Sequence, residues 1–219
     1  MNIRLGIYEI FSRIIPGGVY MAASAQFLSI FGLLTLDWKT FNDMSLIAST
    51  ALVVVTYVVG GALNPLSFLW LRLFGNKGVS SAALAAFKQR YHSEWAIEIE
   101  DKDWPVLLAW LRTKNIELTG DIERQNAISI MLRNVSLGLG IMAINFVVAF
   151  ARYGTPQNIF AAIVMLAVSI LVMRESSKFR RWFYDTIFET TLAYRIDLEK
   201  LIKPKYSGIK HRREEKTEE

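Results

Sequence analysis

The sequence predicts an all-α fold, namely a polytopic membrane protein with four transmembrane helices plus amphipathic N-terminal and cytoplasmic helices. Three observations predict it. First, residues 14–36, 44–71, 134–151 and 153–173 contain no Asp, Glu, Lys or Arg. At roughly 23, 28, 18 and 21 residues, each is close to the ~20 residues of helix that cross a hydrocarbon core. Second, 53% of the 219 residues are hydrophobic, above the usage of an ordinary soluble domain. Third, of the 25 Lys and Arg, all but Lys39 and Arg152 fall in residues 1–13, 72–133 and 174–219. The positive-inside rule then places both termini and the one substantial loop in the cytoplasm.

The individual elements follow in chain order. Tyr8, Phe11 and Ile15 share a helical face in residues 2–15, with Glu9 and Arg13 on the polar side. Pro16-Gly17-Gly18 follows, and proline removes a backbone donor. Two readings fit: an interfacial helix, a kink and then the first span to Leu36, or one bent helix throughout. The second span begins near Met44 and carries Gly60-Gly61-Ala62-Leu63-Asn64-Pro65, where Pro65 predicts a kink. Trp38 and Trp70 are expected at the outer and inner interfaces. The outer connections, 36–43 and 152–157, are too short for a domain.

The loop before residue 134 reads as a helix over Val79–Glu98, capped by Ser80 or Ser81, an acidic turn over Glu98–Asp103, and a helix over Trp104–Lys114 with Pro105 in its first turn. Thr119-Gly120-Asp121 reads as a break, with Asp121 capping a helix from Ile122 that enters the third span. Ser136 and Gly140 form a small-xxx-small pair suited to close helix contact. Tyr153-Gly154-Thr155-Pro156 turns into the fourth span. Beyond Met173 a helical stripe continues through Phe179, Phe183, Ile187, Tyr194, Leu198 and Leu201, and Pro204 ends it. The charged tail is expected to be disordered. The organisation is therefore 1–75 (interfacial segment and spans one and two), 76–128 (cytoplasmic loop), 129–175 (spans three and four), 176–203 (C-terminal helix) and 204–219 (tail).

No cleavable signal peptide is expected, because the first apolar run is too long and lacks a small-residue cleavage site. The absence of cysteine excludes disulfide and thiolate chemistry. The net charge of +5 fits the positive-inside bias and anionic headgroups better than nucleic acid, which is not expected as a partner.

Several segments together resemble a known set. These are Tyr8-Glu9-Ile10-Phe11-Ser12-Arg13-Ile14-Ile15-Pro16-Gly17, Tyr57-Val58-Val59-Gly60, Ile122-Glu123-Arg124-Gln125-Asn126-Ala127 and Leu132-Arg133-Asn134. They resemble a broad, mostly uncharacterised group of bacterial four-helix inner-membrane proteins, some similar to membrane components of anti-phage defence systems. The resemblance implies a bacterial inner-membrane location and carries no catalytic residues. Where related chains often have a histidine in the second span, this one has Gly61.

Catalytic motifs are missing: there is no Walker loop, His-Glu-x-x-His, Gly-x-Ser-x-Gly or metal-ligand spacing, and no cofactor is expected. His92 and His211, on a loop helix and in the tail, read as solvated residues. Glu98, Glu100, Asp101 and Asp103 lack the glycine and spacing of a calcium loop and read as a solvated turn. Gln26, Asn64 and Asn145 are the strongly polar side chains at depth. They serve either interhelical hydrogen bonds or a narrow polar path across an oligomer.

Pro16, Gly17, Gly18, Gly60, Gly61 and Pro65 are candidate hinges. Phe87, Tyr91 and Trp95 are candidates for partner binding, and Lys178, Arg180, Arg181 and Trp182 for lipid headgroups. The leading expectation is a non-enzymatic, homo-oligomeric sensor or effector that alters membrane permeability on a cytoplasmic signal, with phage defence as the setting that the resemblance implies. The alternative is an anchor or assembly factor that recruits a soluble protein and conducts nothing.

Overall fold

The computed structural model describes residues 3–35, 44–75, 78–91 and 99–194. Among them every regular element is helical. The helices are α1 (Ile3–Ile30), α2 (Leu46–Ala62), α3 (Asn64–Phe74), α4 (Val79–Arg90), α5 (Trp104–Lys114), α6 (Ile116–Tyr153) and α7 (Pro156–Ala193), with a 3-10 turn at Asp101–Asp103. The chain divides into two compact units. One comprises Met1–Lys77 with Glu123–Arg180, and the other Gly78–Ile122 with the chain from Arg181. The segments read separately as loop and C-terminal helix thus share a unit.

In the first unit, α6 and α7 are each long and apolar enough to cross a membrane, and α2 with α3 reaches that standard as a bent pair. The bend is 51°. It falls at Leu63, which ends α2 and starts α3, with Pro65 in the first turn of α3 where its missing N–H costs nothing. The fourth expected span, α1, is a single helix with Pro16 inside it, so the continuous reading describes this segment. Its charge-free part carries Pro16, Gly17, Gly18, Ser24 and Gln26, which lower its apolarity below that of α6 and α7.

The α1–α2 contact is a main-chain contact. A Cβ on Gly17 would lie 1.7 Å from the Thr56 carbonyl oxygen, and one on Gly60 would lie 2.0 Å from that of Arg13. Only glycine allows helices to approach so closely. Helices α6 and α7 form an antiparallel hairpin closed at Gly154, whose φ of 67° suits glycine at a helix end. Two reciprocal serine pairs lock this hairpin. Ser129 Oγ donates to Ser176 O (3.0 Å) and Ser176 Oγ to Ser129 O (2.8 Å). Ser136 Oγ donates to Ser169 O (2.8 Å) and Ser169 Oγ to Ser136 O (2.7 Å). The pairs stand one heptad apart on both helices, and the buried Ala143 and Ala162 extend the stripe, as a left-handed crossing requires.

The second unit has its own core of Val79, Ala83, Leu84, Phe87, Ile99, Leu107, Trp110, Leu111, Ile122, Phe183, Tyr184, Ile187 and Phe188. Trp104 meets Phe183 and Tyr184 edge-on, with centroids 5.4 and 5.7 Å apart, and Phe87 lies 5.9 Å from Phe188.

Several local expectations are corrected here. Helix α4 stops at Arg90, short of Glu98, and residues 92–98 lie outside the described residues. Its N-cap is Gly78 rather than a serine, while Ser81 Oγ donates to Asp101 Oδ2 at 2.6 Å. No break occurs at Thr119-Gly120-Asp121, because α6 starts at Ile116. Asn115 caps it, accepting at Oδ1 from Leu118 N (3.0 Å) and at its carbonyl from Thr119 Oγ1 (2.8 Å). Capping there buries Ile122 and Thr119 inside a running helix. Trp38, Leu198, Leu201, Pro204 and the tail lie outside the described residues.

Candidate functional site

The bend between α2 and α3 places Asn64 at the first position of α3, facing α6 of the same unit. There a polar network is built. Asn64 Oδ1 accepts from Arg133 Nη2 (2.9 Å) and Asn134 Nδ2 (3.1 Å). Arg133 Nε donates to Ser67 Oγ (2.8 Å), and Ser67 Oγ donates to the Asn64 carbonyl (2.7 Å). Tyr20 of α1 donates to Asn134 Oδ1 (3.3 Å). The Arg133 guanidinium also lies over the Phe68 ring, 3.8 Å from its centroid.

This network is buried: Arg133 is 5% exposed and Ser67 0%. Its acceptors are all neutral. Among the described residues no carboxylate pairs with Arg133. Arg180 repels it, whereas Tyr20 favours its charged form. A buried cation without an anion is uncommon, since taking a charge out of water is costly unless it is paired.

The other deep polar residues are also engaged. Asn145 Nδ2 donates to Ala23 O (2.7 Å) and Gln26 Oε1 (3.3 Å), joining α6 to α1. Trp70 Nε1 donates to Ser136 Oγ (3.0 Å), and Gly140 leaves room for its indole, 2.5 Å from where a Cβ would be. The Trp70 indole is therefore turned toward α6. Of the two readings open for Asn64, Asn145 and Gln26, interhelical hydrogen bonds or a polar path, the contacts here are ties between helices within one chain.

The hinge candidates divide. Gly17 and Gly60 are close-approach positions, Gly18 has open space around it, and Gly61 has only ordinary contacts with the Arg13 side chain. Pro16 is buried within α1, and Pro65 sits at the α2–α3 bend. Of the partner-binding candidates, Phe87 is corrected: it is 3% exposed and belongs to the core of the second unit. The apolar stripe that suggested an exposed face is the inward face of α4. Tyr91 is half-buried against it at 5.1 Å, and Trp95 lies outside the described residues.

Among the lipid candidates, Lys178 pairs with Glu175 (2.7 Å) and Arg181 with Asp185 (3.6 Å). Arg180 is half-buried and Trp182 is 51% exposed. Burial raises the Asp185 carboxyl above the usual range, against the opposing pull of Arg181 and Arg90. Of the acidic cluster, Asp103 Oδ2 accepts from Glu100 N (3.1 Å), Lys102 pairs with Glu100, and Glu98 lies outside the described residues.

Sequence reasoning named Arg133 and Asn134 within the Leu132-Arg133-Asn134 segment and overlooked Ser67 and Tyr20 as parts of the same network. The available signal was an arginine directly followed by an asparagine at the edge of a charge-free stretch. Comparison with protein families, characterised proteins and solved structures finds no match.

Proposed function

We propose that this chain is a non-enzymatic membrane anchor, in which a bundle of four spans holds a cytoplasmic helical unit that recruits a soluble protein. The spans are α1 from Ile14, the bent α2–α3 pair, α6 and α7. The asymmetry of Lys and Arg supports cytoplasmic termini, and the resemblance in sequence supports a bacterial inner membrane. The observation that carries the reading is how the deep polar groups are spent. Asn64, Asn145, Gln26 and the serines of α6 and α7 are bonded to neighbouring helices, which leaves little to line a conducting path. The second unit, by contrast, has an aromatic core of its own, to which α6 contributes Ile122 and α7 contributes Phe183, Tyr184, Ile187 and Phe188.

The test combines two readouts. Membrane potential is followed on induction in bacteria, and a photo-crosslinking residue is placed at Trp182 or, as a control, at Phe160. The expected result is an unchanged potential and a discrete protein adduct from position 182 only. Depolarisation that disappears in Asn145→Ala at equal expression would overturn the anchor reading.

A second reading, an oligomeric effector of permeability, draws on α7. Only 17% of its most apolar window is buried, so much of that span is open to a second copy.

A further inference from the structure

We propose that Arg133 and the first turn of α3 form a binding site for a phosphate group, supplied by an anionic phospholipid headgroup of the leaflet that the α2–α3 bend faces. Three features converge on it. The Arg133 guanidinium is buried, and its protein acceptors are the neutral oxygens of Asn64 and Ser67. It meets α3 at Asn64, the N-terminal end of that helix, where the helix dipole is also positive, although Pro65 has no N–H and the Leu66 N–H is bonded to Leu63 O (3.1 Å). The N-cap Leu63 offers no side-chain acceptor there. A buried guanidinium with only neutral acceptors, set against a helix N-terminus, favours an anion beside it.

The site also has an opening. Among the described residues nothing accepts from the remaining nitrogen, Nη1. Among the described residues Thr191 Oγ1 is the one fully buried side-chain polar atom without a partner, so Nη1 retains accessible surface. The Phe68 ring lies against the guanidinium, and α3 presents apolar surface: Leu66 and Phe68 are each 47% exposed and Leu69 is 56% exposed. A headgroup phosphate on Nη1 with acyl chains along Leu66 and Leu69 satisfies both halves of the site. A free phosphate satisfies only the first. Arginine suits this task because its fork can hold the protein oxygens on two nitrogens and present the third.

The proposal needs only that the bend be membrane-embedded, and is independent of whether the second unit recruits a protein. The full chain, purified in neutral detergent, is titrated in separate arms with short-chain phosphatidylglycerol, with the matching phosphatidylcholine and with inorganic phosphate. Thermal unfolding is the readout. Phosphatidylglycerol should raise the midpoint, and phosphatidylcholine should not. A charge-assisted hydrogen bond predicts about tenfold weaker phosphatidylglycerol binding for Arg133→Gln, and unchanged binding for Lys88→Gln on the exposed face of α4.

Since Arg133→Gln can also weaken the fold, Asn64→Asp supplies the decisive variant. It keeps the oxygen that Arg133 and Asn134 use and brings its own counter-charge. It should be more stable than the parent without lipid and lose most of the response to phosphatidylglycerol. An equal response to inorganic phosphate assigns the same chemistry to a free anion. No response to either, or an undiminished lipid response in both Arg133→Gln and Asn64→Asp, overturns the proposal.

Discussion

Gly17 and Gly18 are adjacent on α1, and the structure predicts opposite outcomes for the same substitution at each. At Gly17 an added Cβ would lie 1.7 Å from the Thr56 oxygen and 2.5 Å from its carbonyl carbon, whereas ordinary contact begins at 3.4 Å. The obstacle is main chain, so no rotamer change relieves it. Helices α1 and α2 would have to part by about 1.5 Å, and a gap of even half that size forfeits much of the dispersion along the contact. Overpacking of this kind costs about 3 kcal/mol, near the top of the usual range. At Gly18 nothing lies within 4 Å, and alanine should gain about 0.5–1 kcal/mol of helix preference.

Gly60→Ala should resemble Gly17→Ala, since its Cβ would meet the Arg13 oxygen at 2.0 Å. The assay is equilibrium unfolding in mixed micelles of a neutral detergent and dodecyl sulfate, followed by tryptophan fluorescence, with membrane insertion checked separately. If Gly17→Ala and Gly18→Ala differ by less than about 0.5 kcal/mol, the close-approach argument fails. A hinge at these glycines would then regain its appeal.

Three further outcomes are expected. Thr191 is fully buried with an unpartnered hydroxyl, so Thr191→Val should stabilise the second unit by about 1 kcal/mol in thermal unfolding. Ser136→Ala removes both the donor to Ser169 O and the acceptor of Trp70 Nε1, and should cost about 1–2 kcal/mol. Ser129→Ala, which breaks one serine pair alone, should cost about 0.6 kcal/mol. For Asp185, the folded carboxyl holds its proton more tightly than the unfolded one, because burial raises its pKa. Its contribution to stability is then complete below the ordinary pKa of about 3.9 and declines as pH rises through the folded value. Asp185→Asn should flatten that part of the stability–pH curve, measured by denaturation from pH 4 upward.

The parts of the fold legible in the sequence were those governed by one-dimensional signals. Charge-free stretches located α2, α3, α6 and α7, and Pro105 located the start of α5. Signals with two physical outcomes were harder. Gly120 looked like a breaker, but a helix held by Asn115 at its start and by Ile122 in a core tolerates the roughly 1 kcal/mol that glycine costs. The α4 stripe was visible, yet an inward face and a docking face have the same period, and only the tertiary contacts of Phe87 separate them. The serine pairs were legible in principle, as small residues repeating each heptad on two neighbouring spans, although each repeat is too short to stand out alone. The Arg133 site was not legible, because its partners come from three helices and its peculiarity is a missing charge.

The two asparagines read either as interhelical ties or as parts of a polar path differ in what they support, and a pair of single substitutions exposes this. Asn145→Ala removes a donor. The Ala23 carbonyl that it serves remains inside α1, with its helical hydrogen bond available, and Gln26 is only half-buried. The cost should be near the 0.6 kcal/mol typical of a polar tie between membrane helices. Asn64→Ala removes an acceptor shared by two donors, Arg133 Nη2 and Asn134 Nδ2, both on buried residues and one of them charged. Leaving such donors unsatisfied costs about 1–3 kcal/mol each, so the total should lie several-fold above that for Asn145→Ala. Unfolding of the two variants in the same micelles measures this directly, and equal costs would mean that Arg133 finds another acceptor. The asymmetry bears on any functional assay. Activity lost in Asn64→Ala reports the Arg133 network, and only loss in Asn145→Ala, where the fold is nearly intact, speaks for a polar path.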